Sequence, residues 1–169
     1  MATPCRREIV KHAFLFSCFT GLRYSDIKSL LWSEIHTAVD GKTRYLEHKQ
    51  VKTKKVVTVP ISEEAVKWMP KKQKDKEKVF HQLYITPTSV EALLDEWVKA
   101  AGIQKHITYH CSRHTAATML LTLGADLYTV SKILGHSSIK TTEVYAKIVD
   151  KKKVQTVNLV NNLFNQYRL

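Results

Sequence analysis

The sequence predicts a mainly helical domain that also contains a small antiparallel β-sheet. Apolar residues recur at helical spacing through most of the chain, and hydroxyl or acidic residues precede several of these segments as helix caps. Two short segments instead alternate apolar and polar residues, as half-buried strands do. With 169 residues and 44% hydrophobic content, the chain is long enough to bury the core of one such domain.

Two helices are predicted at the start of the chain. Residues 6–19 carry a broad apolar face, and Gly21 is expected to end that helix. Ser25 is expected to cap a second short helix, with Asp26 in its first turn. Arg23 therefore falls in a tight turn between two helices, a position that fixes the direction of its side chain.

The sheet is predicted in the following segment. Residues 40–41, Asp-Gly, are typical of a hairpin turn. Residues 44–49 and 56–60 alternate as strands, and a second turn through residues 52–55 would join them.

The rest of the chain is predicted to be helical. A helix starts at Ser62 and ends by Pro70, and Thr88 to Glu91 resembles a capping box that opens the next one. Thr108 is expected to cap a helix that Gly124 ends. Two more short helices are expected over residues 126–134 and 138–147.

A terminal helix completes the prediction. Asp150 can cap it, and its apolar positions form a stripe, namely Val154, Val157, Val160, Phe164 and Tyr167. Such a stripe must be buried, either on the domain's own core or on a neighbouring protomer. We therefore expect one domain over residues 1–150 and a separate C-terminal helix over residues 151–169.

The composition indicates a partner of opposite charge. Lys and Arg exceed Asp and Glu by 27 to 15, for a net charge of +12. In one small domain this balance is typical of a protein that binds a polyanion, although a merely soluble basic surface would have the same composition. The sequence has no signal-peptide-like start, and its three cysteines show no metal-type pairing. We expect a soluble, cytoplasmic protein with reduced thiols.

Four residues in the last third of the chain have the chemistry of a phosphodiester-cleaving site. His110 and Arg113 are three apart and so share one face of a helix. His136 follows a glycine at a predicted helix end, and Tyr145 lies nine residues further on. Together with Arg23, these residues make an anion site with a nucleophile beside it.

The residue types suit that chemistry for physical reasons. A phenol has a pKa of about 10, so ionising it at neutral pH costs roughly 4 kcal/mol. Arg23 and Arg113 can fork onto phosphate oxygens and neutralise the transition state without a metal. His136 can donate a further hydrogen bond, and His110 is placed to receive the proton of Tyr145.

These motifs resemble those of the tyrosine recombinase (phage integrase) family. The resemblance rests on Thr20-Gly21-Leu22-Arg23, His110-x-x-Arg113-His114, Leu134-Gly135-His136 and Tyr145, in the family's order. It extends from about residue 12 to residue 150, and is most similar to integrases of conjugative transposons and prophages.

The resemblance implies a fold, an activity and partners. The fold would be the family's catalytic domain, without the amino-terminal core-binding domain that relatives carry. Tyr145 would form a 3′-phosphotyrosyl link with double-stranded DNA during integration or excision of a mobile element. The chain would be a monomer when free and a homotetramer on DNA, in a bacterial nucleoid. No cofactor would be needed, because the covalent link stores the phosphodiester energy.

The family also uses a hairpin lysine as the acid for the leaving 5′-oxygen. The resemblance places this lysine at Lys52, with Lys49, Lys54 and Lys55 as close competitors. The residue before the second arginine, often leucine in the family, is Ser112 here.

Other interpretations of the same residues exist. Tyr145 could be a packed aromatic, and Arg23 could simply bind carbonyls at a helix end. His114 is expected to be structural, because it falls one position past the predicted catalytic face. Asp26 could orient the guanidinium of Arg23 or merely cap its helix.

Two rival functions remain. His110 and His114 have the i,i+4 spacing of zinc-binding helices, with Cys111 and His136 as further ligands. However, Cys111 stands where a zinc protease has its glutamate, and Arg113 would repel a cation. A non-catalytic DNA-binding module would explain the charge but would leave the tyrosine and both arginines without a role.

Overall fold

The computed structural model describes residues 3–75 and 77–146. In that part of the chain, about half of the residues are helical and a small sheet is present, as predicted. The helices are α1 (Glu8–Thr20), α2 (Tyr24–Ser29), α3 (Glu63–Val66), α4 (Pro87–Ala100), α5 (His110–Thr122) and α6 (Leu127–Leu134). Residues 140–146 are also helical.

The sheet has three antiparallel strands in sequence order. They are β1 (Ile35–Thr37), β2 (Arg44–Lys49) and β3 (Val56–Ile61). The predicted strands therefore correspond to β2 and β3, and the predicted turn at residues 40–41 joins β1 to β2. β3 alternates strictly between exposed and buried residues, so one face of the sheet packs on the core and the other meets solvent.

Helix α1 lies at the centre of the domain and packs against α5, α3, α4 and the sheet. Its Val10, Ala13 and Phe16 are completely buried. A buried hydrogen bond of 2.9 Å joins the Ser17 hydroxyl to the Tyr109 hydroxyl just before α5. Since α1 ends beside the turn of Arg23 and α5 carries His110 and Arg113, this packing brings distant parts of the sequence together.

The glycine at the end of α1 is required by its conformation. Gly21 has φ +72°, and its N–H donates to the Ser17 carbonyl at 2.8 Å. A Cβ at this position would lie 2.6 Å from a methyl group of Leu134. The glycine therefore allows α6 to approach the end of α1, and the prediction that the helix ends here is confirmed.

Three predicted helix caps are wrong. Helix α2 begins at Tyr24 rather than after Ser25, because the Asp26 carboxylate accepts from the Arg23 N–H at 3.3 Å and satisfies that end. Helix α4 is capped by Thr86, whose hydroxyl accepts from the Ser89 N–H, and not by Thr88. A proline at the first helical position, Pro87, favours this earlier start.

The third incorrect cap is Thr108. Tyr109 precedes α5 with helical backbone angles, and its N–H donates to the Glu91 carboxylate of α4 at 3.1 Å. The Thr108 hydroxyl contacts the Cys111 sulfur instead of a backbone N–H. In contrast, Ser62 and Asp126 do cap α3 and α6. The side-chain oxygen of each accepts a hydrogen bond from the backbone N–H three residues further on.

The predicted C-terminal helix over residues 151–169, with its apolar stripe, lies outside the described residues. Within residues 3–75 and 77–146, no helix has the length and apolar character needed to cross a membrane.

Candidate active site

Arg113 is a buried charge held by two main-chain carbonyls. Its side chain projects from α5, and only 2% of the residue is exposed. Its guanidinium donates to the Gly21 carbonyl at 2.7 Å and to the Leu134 carbonyl at 2.6 Å. Burial, followed by the positive charge of Arg23, lowers the pKa of Arg113 to about 10, so the side chain remains charged at neutral pH.

Arg23 lies beside it in the turn between α1 and α2. Its guanidinium donates to the Gln50 side-chain oxygen at 3.0 Å and lies 3.9 Å from the Asp26 carboxylate. Asp26, which is completely buried, also accepts from the Val51 N–H at 2.8 Å. Asp26 therefore does both things considered for it, since it supports the guanidinium of Arg23 and binds the first turn of its helix. It is Arg113, not Arg23, that binds carbonyls at helix ends.

His136 follows the left-handed Gly135 that ends α6. Its Nδ1 lies 2.7 Å from the hydroxyl of buried Thr142. Burial, then the charges of Arg113 and Arg23, lowers the pKa of His136 to about 4. The imidazole is therefore neutral at pH 7, and its Nδ1 shares a hydrogen bond with the Thr142 hydroxyl.

His110, at the start of α5, is close to the same group of cations. Burial lowers its pKa, and the charges of His114, Arg113, Arg23 and Lys52 lower it further. The turn between β2 and β3, which carries Lys52, lies beside Arg23, since the Thr53 hydroxyl and the Arg23 guanidinium both donate to the side-chain oxygen of Gln50.

Tyr145 lies at the same site, in the helical segment 140–146. Only 6% of it is exposed, and it belongs to a buried apolar cluster with Ala117, Leu121, Val130 and Leu134. Burial raises its pKa, whereas the charges of Arg113 and Arg23 lower it. The phenol is therefore protonated before substrate binds, and both arginines are near enough to stabilise its ionised form.

His114 is predicted to lie past the catalytic face of α5, and this position is wrong. Its exposed ring lies 4.6 Å from the His110 ring and 5.4 Å from the Tyr145 ring, measured between centroids. His114 thus lies beside both the predicted nucleophile, Tyr145, and the histidine predicted to accept its proton, His110. The signal that could have found it is the i,i+4 spacing from His110, which places both rings on one face of α5.

The structure thus brings five of the predicted residues together, namely Arg23, His110, Arg113, His136 and Tyr145, and the turn that carries Lys52 lies next to Arg23. Gln50, Asp26 and Thr142, which sequence analysis did not identify as site residues or left open, contact them directly. In the described part of the chain, no three His, Cys, Asp or Glu side chains are grouped so that they could hold a metal ion. The arrangement can bind a phosphate through two guanidiniums and present a phenol to it.

Comparison with known proteins agrees with this geometry. Residues 2–152 match the family described as the phage integrase family. The chain belongs to this family of tyrosine recombinases. Tyrosine recombinase XerC of Chlamydia pneumoniae is 34% identical over an alignment of 173 positions that covers 92% of this chain and 54% of that protein. The chain thus spans about half the length of the curated relatives that it matches.

Solved structures of the family share the fold. The catalytic domain of bacteriophage HP1 integrase has a TM-score of 0.63 and 23% identity, covering 93% of this chain and 85% of that one. XerH recombinase, in a post-cleavage complex with its difH substrate, has a TM-score of 0.69 and 17% identity. That match covers 91% of this chain and 46% of XerH. Family and fold are therefore as the sequence motifs predicted.

Proposed function

We propose that this chain is the catalytic domain of a site-specific DNA recombinase that acts through a 3′-phosphotyrosyl intermediate. The observation that carries the proposal is the position of Tyr145: burial raises its pKa, and the positive charges of Arg113 and Arg23 beside it act in the opposite direction. A phenol beside two fixed guanidiniums is arranged for attack on a phosphodiester. The net charge of +12 suits double-stranded DNA as the substrate.

The reaction conserves the number of phosphoester bonds. The Tyr145 oxygen attacks phosphorus, the bond from phosphorus to the 5′-oxygen breaks, and the DNA 3′-end becomes attached to the tyrosine. The phenolic proton passes to His110 or to the adjacent His114, and Lys52 protonates the leaving 5′-oxygen. A 5′-hydroxyl of a partner strand then attacks the phosphotyrosine and reverses the step. No net energy source is needed.

Each remaining residue has a role in charge stabilisation. Arg23 and Arg113 bind the non-bridging oxygens and compensate the charge that develops in the transition state. With the Thr142 hydroxyl as the donor to Nδ1, the Nε2–H of neutral His136 donates a third hydrogen bond to these oxygens. In the cell, the reaction would integrate or excise a mobile element, with four copies of the chain assembled on two DNA sites.

Trapping with a suicide DNA substrate tests the proposal. A nicked substrate that loses its 5′-hydroxyl fragment after cleavage should accumulate a protein–DNA adduct stable in denaturing gels. Tyr145→Phe should bind the same DNA and form no adduct, because it lacks only the attacking hydroxyl. Tyr128→Phe is the matched control, since Tyr128 is 61% exposed and lies outside the site.

Two results would contradict the proposal. DNA binding by the unaltered chain without any adduct would favour the non-catalytic DNA-binding module. An adduct that survives in Tyr145→Phe would move the nucleophile elsewhere. Tyr109 is a poor substitute, because it is 4% exposed, hydrogen-bonded to Ser17, and burial raises its pKa far above the ordinary value.

A further inference from the structure

Gln50 is a completely buried amide at the end of β2. A buried primary amide must satisfy two donors and one acceptor oxygen, so its surroundings normally dictate its orientation. Around Gln50 those surroundings are parts of the candidate active site: the Arg23 guanidinium, the turn that carries Lys52 and the end of α6.

The chemistry of its neighbours fixes which way the amide points. Its oxygen accepts from the Arg23 guanidinium at 3.0 Å, and its nitrogen donates to the Leu134 carbonyl at 3.0 Å. A guanidinium can only donate and a carbonyl can only accept. A flipped amide would therefore lose both bonds, and a single orientation is allowed.

The same oxygen also binds the lysine turn. The Thr53 hydroxyl donates to it at 2.7 Å. The backbone of Gln50 closes the turn, since its N–H donates to the Lys55 carbonyl at 2.8 Å and its carbonyl accepts from the Lys54 N–H at 2.9 Å. Lys52 lies within the loop that these bonds enclose, so the amide connects Arg23 to the segment that carries Lys52.

The other end of the amide reaches the second arginine and the second histidine. The Leu134 carbonyl that accepts from Gln50 also accepts from Arg113. Gly135 follows, and a Cβ there would lie 2.6 Å from the Gln50 oxygen. The glycine before His136 is thus needed to make room for the amide.

We propose that Gln50 is a positioning residue that holds the Arg23 guanidinium in its phosphate-binding direction. It also ties that guanidinium to the Lys52 turn and to the carbonyl shared with Arg113. The inference rests on the proposed function, because it concerns how the same site is held together. Gln50 itself touches no substrate in this scheme and acts through Arg23.

The test is a double-mutant cycle on single-turnover cleavage at saturating DNA. Gln50→Met keeps the length of the side chain and removes its hydrogen bonds. It should lower the cleavage rate by roughly 10- to 100-fold, the size expected when a catalytic group is slightly misplaced. The DNA affinity should change by less than about threefold, since a single displaced cation is a small part of the electrostatic attraction.

The cycle separates positioning from mere stability. In an Arg23→Ala background, Gln50→Met should lower the rate by less than about threefold, because the residue through which it acts is already lost. Thr20→Val is the matched control. It removes another completely buried hydrogen bond, from the Thr20 hydroxyl to the Phe16 carbonyl, which involves no site residue. Its cleavage rate, at a temperature where it is folded, should equal that of the unaltered chain.

The possible failures are distinguishable. Absence of an adduct with the unaltered chain would contradict the proposed function, whereas an adduct that forms at the normal rate in Gln50→Met would contradict the role of Gln50. A full loss of rate in the Arg23→Ala background, or an equal loss in Thr20→Val, would also overturn it.

Thermal stabilisation by inorganic phosphate gives a readout that needs no cleavage. Gln50→Met should weaken it as Arg23→Ala does, and an unchanged response would refute the inference.

Discussion

The half-buried His136 beside two arginines predicts a specific loss of stability in mild acid. The pKa of His136 is lowered to about 4, first by burial and then by the charges of Arg113, Arg23 and His110. Its ordinary value is 6.5. Between these two values the unfolded chain binds a proton at this residue and the folded chain does not.

The sign and size follow from proton linkage. The stabilisation is fully present above pH 6.5 and is lost progressively as the pH falls towards 4, because protons favour the unfolded chain in that interval. Between pH 7 and pH 5 the free energy of unfolding should decrease by about 2 kcal/mol from His136 alone. Partial solvent screening reduces this to about 1–2 kcal/mol. His110, whose pKa is also lowered, adds a change of the same sign.

Urea denaturation at pH 7, 6 and 5 measures this change. The window is chosen because the acidic groups with lowered pKa values, Glu8, Asp40 and Asp126, have ordinary values of 4.5 or below and respond at lower pH. His136→Gln removes the titrating group, so its stability should decline less over this range. His81→Gln, at an exposed histidine, is the control and should keep the full decline.

Equal pH dependence in His136→Gln and in the unaltered chain would refute the reasoning. It would mean that neither burial nor the arginine charges lower the pKa of His136 in solution. A decline that is reduced in Arg113→Ala and kept in full by His81→Gln would support the contribution of the arginine charge, and the part that remains in Arg113→Ala is the part due to burial.

Three further predictions concern the site and the tail. Arg23→Ala or Arg113→Ala should each raise the activation free energy of cleavage by roughly 3–4 kcal/mol. The slower cleavage by Lys52→Ala should instead be rescued by a substrate in which sulfur replaces the 5′-bridging oxygen. Adduct formation measures the rescue. If sulfur rescued an arginine variant but not Lys52→Ala, the arginine and not Lys52 would be the residue that protonates the leaving oxygen. Gly135→Ala should unfold at lower urea than Gly41→Ala: both glycines have positive φ, but only Gly135 would place a Cβ within 2.6 Å of Gln50 and 2.7 Å of Val57. Equal stability of the two variants would show that the contact relaxes freely. Deleting residues 154–169 should leave the monomer folded, by circular dichroism, and weaken cooperative assembly on a two-site DNA in gel-shift assays. A truncated chain that unfolds, or that assembles normally, would contradict a role for the tail in trans.

The elements that local chemistry determines could be predicted from the sequence. Gly21 ends α1 and Asp126 caps α6 because the required backbone angle and the short-range hydrogen bond are encoded by one residue each. The cap of α4 is harder to predict from the sequence, because Thr86 and Thr88 are both threonines that precede the apolar positions of the helix. Only the preference of Pro87 for the first helical position separates them.

The supporting contacts of the site could not be predicted in this way. Gln50 binds Arg23 and Leu134 across separations of 27 and 84 residues, and both bonds exist only after the sheet has packed beside α6. No local rule marks a glutamine at a strand end as part of a site. Likewise, the carbonyls that hold Arg113 belong to the ends of two other helices, and any arginine could bind them.

Tyr145, the proposed nucleophile, is packed apart from the main core. Tyr145 shares its buried cluster with Ala117, Leu121, Val130 and Leu134, whereas α1, the sheet and α4 contribute to a larger separate cluster. Cooperative opening costs less where less apolar surface is buried. Residues 140–146 can therefore detach at a lower free energy than the elements that hold Arg23 and Gln50. The backbone amides around Tyr145 should therefore exchange through an opening of lower free energy than those of α1. Such an opening would take the tyrosine away from the two arginines while the rest of the site stays folded.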